Sequence, residues 1–401
     1  MAIPNTLSLS PKSLLMETVL ALYIFFSLLS RSFFYSILPS AVFQFVNIFC
    51  LVVLLMLEYQ IASQDHYTLR NIVHLLLILF CFAIFYRFLG AKSALLLIFI
   101  FTSRLFDFKC LAKLMLYVSA FALIVIVGAA LAGVITNYKM VGIDGRVRQY
   151  LGFFYCLIPS LILSNISLLY IYIYQKKSNI LILIALAVAN FWMFQQTLSR
   201  FSFLSTIAVL ILVLLLRLGV NWIGFLKKHH WIAYIMCFMF VIMAILSTVM
   251  FNIYRPNIRW LRILNTMLEG RISMTHTSIQ KYGIPLFGQD VDWIGNGLSS
   301  DGSSAAGIYL YVDNLYFNII QRAGVIPFLF LCFIVTYSLI RAVKNEDYML
   351  VVLWAVLSIH GLIDNMIMGL FYNSFWLAFG VYFFGKKYRV NLLQMIMKKR
   401  E

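Results

Sequence analysis

The sequence predicts an all-α, polytopic integral membrane protein, and three observations carry that prediction. Hydrophobic residues make up 63% of the 401 residues and charged residues only 11%. The apolar residues gather into successive runs of about 20, and lipid offers no partner for an unpaired backbone group, so each such run must be a helix. Between these runs lies one long polar stretch, residues 252–309, which reads as a large external loop carrying short helices. The chain is expected to be a single membrane domain over 1–401.

Twelve spans are predicted, at 14–30, 37–57, 71–89, 93–108, 111–135, 150–174, 179–197, 201–220, 230–251, 310–340, 347–364 and 366–385. The fourth is short and the last two are joined tightly around Asp364 and Asn365, so eleven is the alternative. The long loop then falls between the ninth and tenth spans. With the N-terminus inside, 18 of the 31 cations lie in cytoplasmic connectors or the basic C-terminal tail, and 13 lie outside. Five of those 13 sit in the long loop, where charge counts little for orientation. Both termini are therefore expected in the cytoplasm and the loop outside. The first apolar run has no small-residue cleavage pattern and is expected to remain as a span.

The net charge of +17 belongs to the connectors, so it is assigned to topology and lipid headgroups rather than to nucleic acid. All six cysteines lie in or beside apolar runs, which gives neither a disulfide framework nor metal-ligand spacing. No Gly-rich phosphate loop and no inverted repeat is visible. No cofactor and no metal are expected.

The chemistry is sought among the outside arginines, because the guanidinium fork grips phosphate better than an ammonium point charge does. Arg146 and Arg148 flank the sixth span in GIDGRVRQYLGFF, Arg200 opens the eighth in TLSRFSFL, and Arg271 follows Gly270 in the loop. Arg255, Arg259 and Arg262 recur at helical spacing beside Ile258, Leu261, Leu264 and Leu268, as in an amphipathic helix on the outer leaflet. His276 lies five residues after Arg271. Asp290-Val291-Asp292 forms a DxD triplet in a glycine-rich run, which a solvated turn explains better than a metal site. In YVDNLYFNIIQRAG, Asn314, Asn318 and Gln321 share one face that must point to water or a cavity. Asp313 is a candidate base there, or the N-cap of that helix. Asp364 and Asn365 form a second polar cluster at the outer rim.

Four patches together resemble the Wzy-type polysaccharide polymerases and O-antigen ligases of bacterial envelopes. They are RVRQYLGF, LSRFSFLSTI, GRISMTHTSIQKYGIPLFG and DNLYFNIIQRAG, in the right order and at the right topological places. Ligases usually carry histidine directly before the Asn of the last patch. Here that position is Asp313, which favours polymerase over ligase. The resemblance implies an inverting, metal-independent transfer of a growing glycan from undecaprenyl pyrophosphate to the terminal sugar of a second lipid-linked repeat unit, at the outer face of the plasma membrane. It implies that Arg200 and Arg271, with Arg146 and Arg148, hold the pyrophosphate. The base is then Asp313 or His276, with Asn314 beside it, or no side chain at all. Tyr316, Asn318 and Asp364 would line the substrate cavity. The partners implied are the undecaprenyl-pyrophosphate-linked oligosaccharide, membrane lipids, and flippase and chain-length regulator proteins. A flippase or exporter of the same lipid-linked glycan is the rival reading.

Overall fold

The computed structural model describes residues 11–64, 69–141, 145–299, 301–304 and 306–385, with side chains described from residue 14 and outside 61–71. The basic tail and Ser300, and the side chains of Lys12 and Arg70, lie outside that description. Among the described residues the chain forms seventeen α-helices and a single two-stranded hairpin.

Eight helices precede the first break in the apolar pattern. They are α1 (Pro11–Leu29), α2 (Ser40–Gln64), α3 (Leu69–Phe88), α4 (Ala91–Ser103), α5 (Phe108–Leu131), α6 (Ile158–Tyr174), α7 (Ile180–Thr197) and α8 (Arg200–Arg217). The hairpin of β1 (Lys139–Val141) and β2 (Val147–Gln149) lies between α5 and α6. Next come α9 (Trp222–Lys228), α10 (His230–Cys237) and α11 (Met239–Ile253). The long loop contributes α12 (Arg259–Met267) and α13 (Arg271–Tyr282). The chain closes with α14 (Leu315–Ala323), α15 (Val325–Lys344), α16 (Tyr348–His360) and α17 (Trp376–Phe379), the last continued by a π-turn over Gly380–Phe384.

Among the described residues six helices are long and apolar enough to cross a membrane: α2, α5, α6, α7, α8 and α15. A seventh span results if α10 and α11, bent by 54° at Phe238, count as one. The all-α architecture stands, and among the described residues six or seven helices, not twelve, are long and apolar enough to cross a membrane. For two of the predicted spans the short length has a physical cause. α4 and α16 have 13 residues each, about 20 Å at 1.5 Å per residue, short of a hydrocarbon core of about 30 Å. Both are enclosed by protein, with ten and eleven buried residues respectively, so neither has to match the lipid thickness.

The predicted run 366–385 also fails to form one helix. Asn165 of α6 reaches it with both ends of its amide, donating to Ser374 Oγ at 2.9 Å and accepting from the Ser374 backbone N–H at 3.1 Å. A polar clasp inside the bundle thus replaces a turn of helix.

The core runs through α1, α4, α5, α6, α15, α16 and α17. In the spanning window of α6, 83% is buried, against 22% for α7, so α6 is central and α7 peripheral. Phe45, Ile48, Phe49 and Val52 of α2, and Leu181, Ile184 and Val188 of α7, are exposed. Apolar surface of this extent belongs against lipid rather than water. One set of connectors joins at residues 58, 104, 172, 347 and 382. There Arg104 makes a bidentate pair with Glu58 at 2.6 Å, and Tyr172 and Tyr382 both donate to Asp347 Oδ2 at 2.7 and 2.8 Å. The other set surrounds the cavity described next.

The long loop is folded. It has a small core of its own, in which Leu261 and Ile272 pack with Phe251, Tyr254, Val312 and Phe317. The amphipathic helix expected around Arg259 exists as α12, with Leu261 turned inward and Trp260, Ile263 and Met267 exposed beside Arg259 and Arg262.

Candidate active site

A cavity of about 340 Å³ opens where the long loop meets the ends of α1, α4, α6, α14 and α16. Four basic residues line it, Arg31, Lys92, Arg271 and Arg322, together with Asp313 and Asp364 and the tyrosines 155, 309, 311 and 372.

Arg271 owes its place to a reversal of the chain. Glu269 (φ 53°) and Gly270 (φ 82°) adopt left-handed conformations between α12 and α13, and the Gly270 N–H donates to Asn265 O at 2.8 Å. This turns α13 back so that Arg271, its first residue, faces the cavity. Its Nε donates to Asp313 Oδ2 at 3.2 Å, with the two side chains only 14% and 16% exposed. Burial pushes the Asp313 carboxyl up to about 6, Arg271 opposes that rise, and the nearby Asp364 carboxylate adds to it. A carboxylate of that basicity is deprotonated at neutral pH yet accepts a proton more readily than an ordinary aspartate. Burial, followed by the charge of Asp313, holds the Tyr155 and Tyr309 hydroxyls above their usual range, so both stay neutral hydrogen-bond donors.

Asp313 does not cap α14. That task belongs to Asn314, whose Oδ1 accepts from the Phe317 N–H at 3.0 Å while its Nδ2 donates to Ser247 Oγ and Leu362 O, each at 2.9 Å. Asn314 is 1% exposed and fully engaged. The polar face of α14 therefore mostly secures the loop instead of facing a cavity. Gln321 accepts from Ser278 at 2.9 Å and donates to Gly283 O at 3.1 Å. Asn318 borders the cavity and donates to Val312 O at 2.9 Å.

The other predicted residues are distributed as follows. Asp364 lines the cavity, and its Oδ1 accepts from the Met366 N–H at 2.8 Å. Tyr316 is fully buried beside Phe240 and donates to Ser358 O, apart from the cavity lining. His276 lies outside it too. Its Nδ1 meets the Phe251 carbonyl at 2.8 Å, which makes Nδ1 the donor, and Gln280 Nε2 lies 3.0 Å from its Nε2. Arg200 is exposed at the first position of α8, and Arg146 and Arg148 lie at the β1–β2 hairpin; none of the three lines the cavity.

Comparison with family models, with curated proteins and with solved structures finds no match for this chain. The site is therefore read from its own geometry.

A strap holds the loop over the cavity. The Ile326 and Val325 N–H groups donate to Leu286 O and Pro285 O, and Arg87 forms a bidentate pair with Asp290 at 2.7 and 2.8 Å. Asp290, of the DxD triplet, thus anchors a surface segment, and among the described residues no cluster of metal-ligating side chains occurs. Gly324 allows the strap to pass. Its φ is +99°, and a Cβ there would stand 2.5 Å from Leu286 O. From the strap the chain reaches Leu298, whose N–H donates to Phe154 O at 2.8 Å, while the Phe154 N–H donates to Arg31 O at 3.0 Å. One backbone relay thus ties the lid to the end of α1.

Arg31, Arg322 and Lys92 are among the 13 cations that the sequence places outside, but nothing in it marks them as members of this site. The four tyrosines gave no signal: Tyr155 and Tyr372 sit within predicted apolar runs, and Tyr309 and Tyr311 at the junction of the loop with the next run.

Proposed function

We propose that the protein polymerises lipid-linked oligosaccharide repeat units at the outer face of a bacterial plasma membrane, with both termini in the cytoplasm. The observation that carries this reading is the Arg271–Asp313 pair inside a cavity lined by three further basic side chains. A buried carboxylate raised toward neutrality suits a general base, and the cations suit a pyrophosphate leaving group.

In this reading the terminal sugar hydroxyl of the acceptor attacks the anomeric carbon of the donor glycan. Asp313 takes the hydroxyl proton as the new C–O bond forms. The bond from the anomeric carbon to the pyrophosphate oxygen breaks, and undecaprenyl pyrophosphate leaves with that electron pair. Attack opposite the leaving group inverts the anomeric centre. Arg271 sits between base and leaving group, so it orients the carboxylate and stabilises the charge developing on the pyrophosphate. The tyrosine hydroxyls offer neutral hydrogen bonds to sugar. His276 and Asn314, both engaged elsewhere, have no step in this scheme, and Arg200, Arg146 and Arg148, away from the cavity, do not hold the leaving group. A flippase and chain-length regulators remain the expected partners.

Disrupting the gene and sizing the envelope polysaccharide tests the reading. Single repeat units accumulating on lipid at the outer leaflet support it. Polymer of normal length, or repeat units trapped on the inner leaflet, would reject it.

A further inference from the structure

A second cavity, of about 300 Å³, lies between α1 and α2 and shares Arg31, Lys92 and Phe154 with the first. The two cations therefore stand at the junction of both chambers. They are held there together. Lys92 Nζ donates to Ser30 Oγ at 2.5 Å, next to Arg31 in the chain, and Arg31 is fixed through its carbonyl by Phe154. Among the described residues no carboxylate forms an ion pair with either of them, whereas Arg271 is paired with Asp313. Burial, and then the charge of Arg31, push the Lys92 ammonium well below its usual range, so an anion placed between the two side chains is what secures its charge.

The second chamber is built for such an anion. Ser30 of the α1 end faces Ser40, Gln44 and Asn47 of α2, so hydroxyl and amide donors surround the cations. Gln44 and Asn47 lie on a helix whose neighbouring exposed residues are Phe45, Ile48 and Phe49. Polar side chains within such a span belong to a cavity rather than to lipid. The exposed apolar face of α2 runs alongside, where an isoprenoid tail can stay in the bilayer.

We propose that Arg31 and Lys92, with Ser30, Ser40, Gln44 and Asn47, seat the diphosphate of the lipid-linked donor in this chamber, directing its sugars into the Asp313 cavity. The proposal rests on the polymerase reading and adds the resting place of the leaving group, which neither Arg200 nor the β1–β2 arginines supply. A phosphate-bearing lipid is the shared ligand chemistry; an ordinary anionic phospholipid is the other source of it.

The test measures binding of sugar-free undecaprenyl diphosphate to the full-length protein in nanodiscs, with no turnover required. Wild type should bind it, and Arg31→Gln with Lys92→Gln should weaken binding at least tenfold. Gln44→Leu, at an exposed position where folding is not at risk, should weaken it severalfold, and Arg259→Gln on α12 should leave it unchanged. The melting temperature of the double variant should not fall, because the substitution removes a buried amine whose charge burial and Arg31 both disfavour. Phosphatidylglycerol at equal concentration should not displace the ligand. Undiminished binding in the double variant, equal displacement by phosphatidylglycerol, or no binding by wild type would each overturn the proposal. If binding behaves as stated but wild type makes no polymer from lipid-linked repeat units, the diphosphate seat stands and the polymerase reading falls.

Discussion

Removing Arg271 should move the pH dependence of the reaction upward, and the structure sets the size of the effect. Asp313 stands at about 6 because burial raises it while Arg271, bonded at 3.2 Å, holds it down. An arginine beside an aspartate lowers its pKa by about 1 to 3 units. In Arg271→Gln that restraint is lost, and Asp313 rises to somewhere between about 7 and 9 by the same range. At pH 7 the deprotonated fraction of the base falls from about nine-tenths to between about one-half and one-hundredth, so the rate drops about twofold to a hundredfold. The sign follows from the base having to be deprotonated: wild-type rate rises through pH 6 and levels off, and the variant rises through a higher midpoint. On the polymerase proposal the plateau can also fall, since Arg271 would stabilise the leaving group, so the midpoint is the diagnostic quantity. The assay is polymer formation by purified protein in nanodiscs between pH 5 and 9. Asp313→Asn should abolish the acid limb and cost about 10² to 10⁴ in rate, the usual worth of a general base. An unchanged midpoint in Arg271→Gln would refute the coupling.

Three further outcomes follow from the same geometry. Asn314→Ala removes a helix cap and two donated bonds from a buried position, so it should destabilise the protein by about 2 to 4 kcal/mol in thermal melts, with activity lost in step with folded protein. Arg271→Lys should lose most polymer because the ammonium lacks the fork, whereas Arg200→Lys should keep it within about twofold; polymer sizing at matched protein levels decides between them. Gly324→Ala should distort the strap, since a Cβ would stand 2.5 Å from Leu286 O at a φ of +99°, and limited proteolysis between 285 and 299 should become faster.

The fold was legible wherever a helix faces lipid, because lipid imposes length and apolarity directly. It was not legible where protein replaces lipid. α4 and α16 are short because their surroundings are side chains, and the run 366–385 breaks because Asn165, some 200 residues earlier, supplies hydrogen bonds to Ser374. The stretch 310–340, read as one span, divides into α14 and α15 at Gly324, whose left-handed φ ends the first helix. At the site, the sequence marked Arg271, Asp313, Asn318 and Asp364, all of which line the cavity. It could not show that Arg271 and Asp313 bond across 42 residues. It also read the polar face of α14 as exposed to a cavity, because spacing reports a shared face and not what covers it. Arg31 and Lys92 were counted as outside cations but not as site residues for a related reason: a cation ending an apolar run fits topology so well that its sequence context asks for nothing more.

Reconstitution tests the central claim most directly. Wild-type protein in nanodiscs, given lipid-linked repeat units and no other protein, should yield a ladder of oligomers and free undecaprenyl diphosphate in equal molar amount to the linkages formed, and Asp313→Asn should leave single repeats. Single repeats from wild type, or a ladder from Asp313→Asn equal to that of wild type, would contradict it.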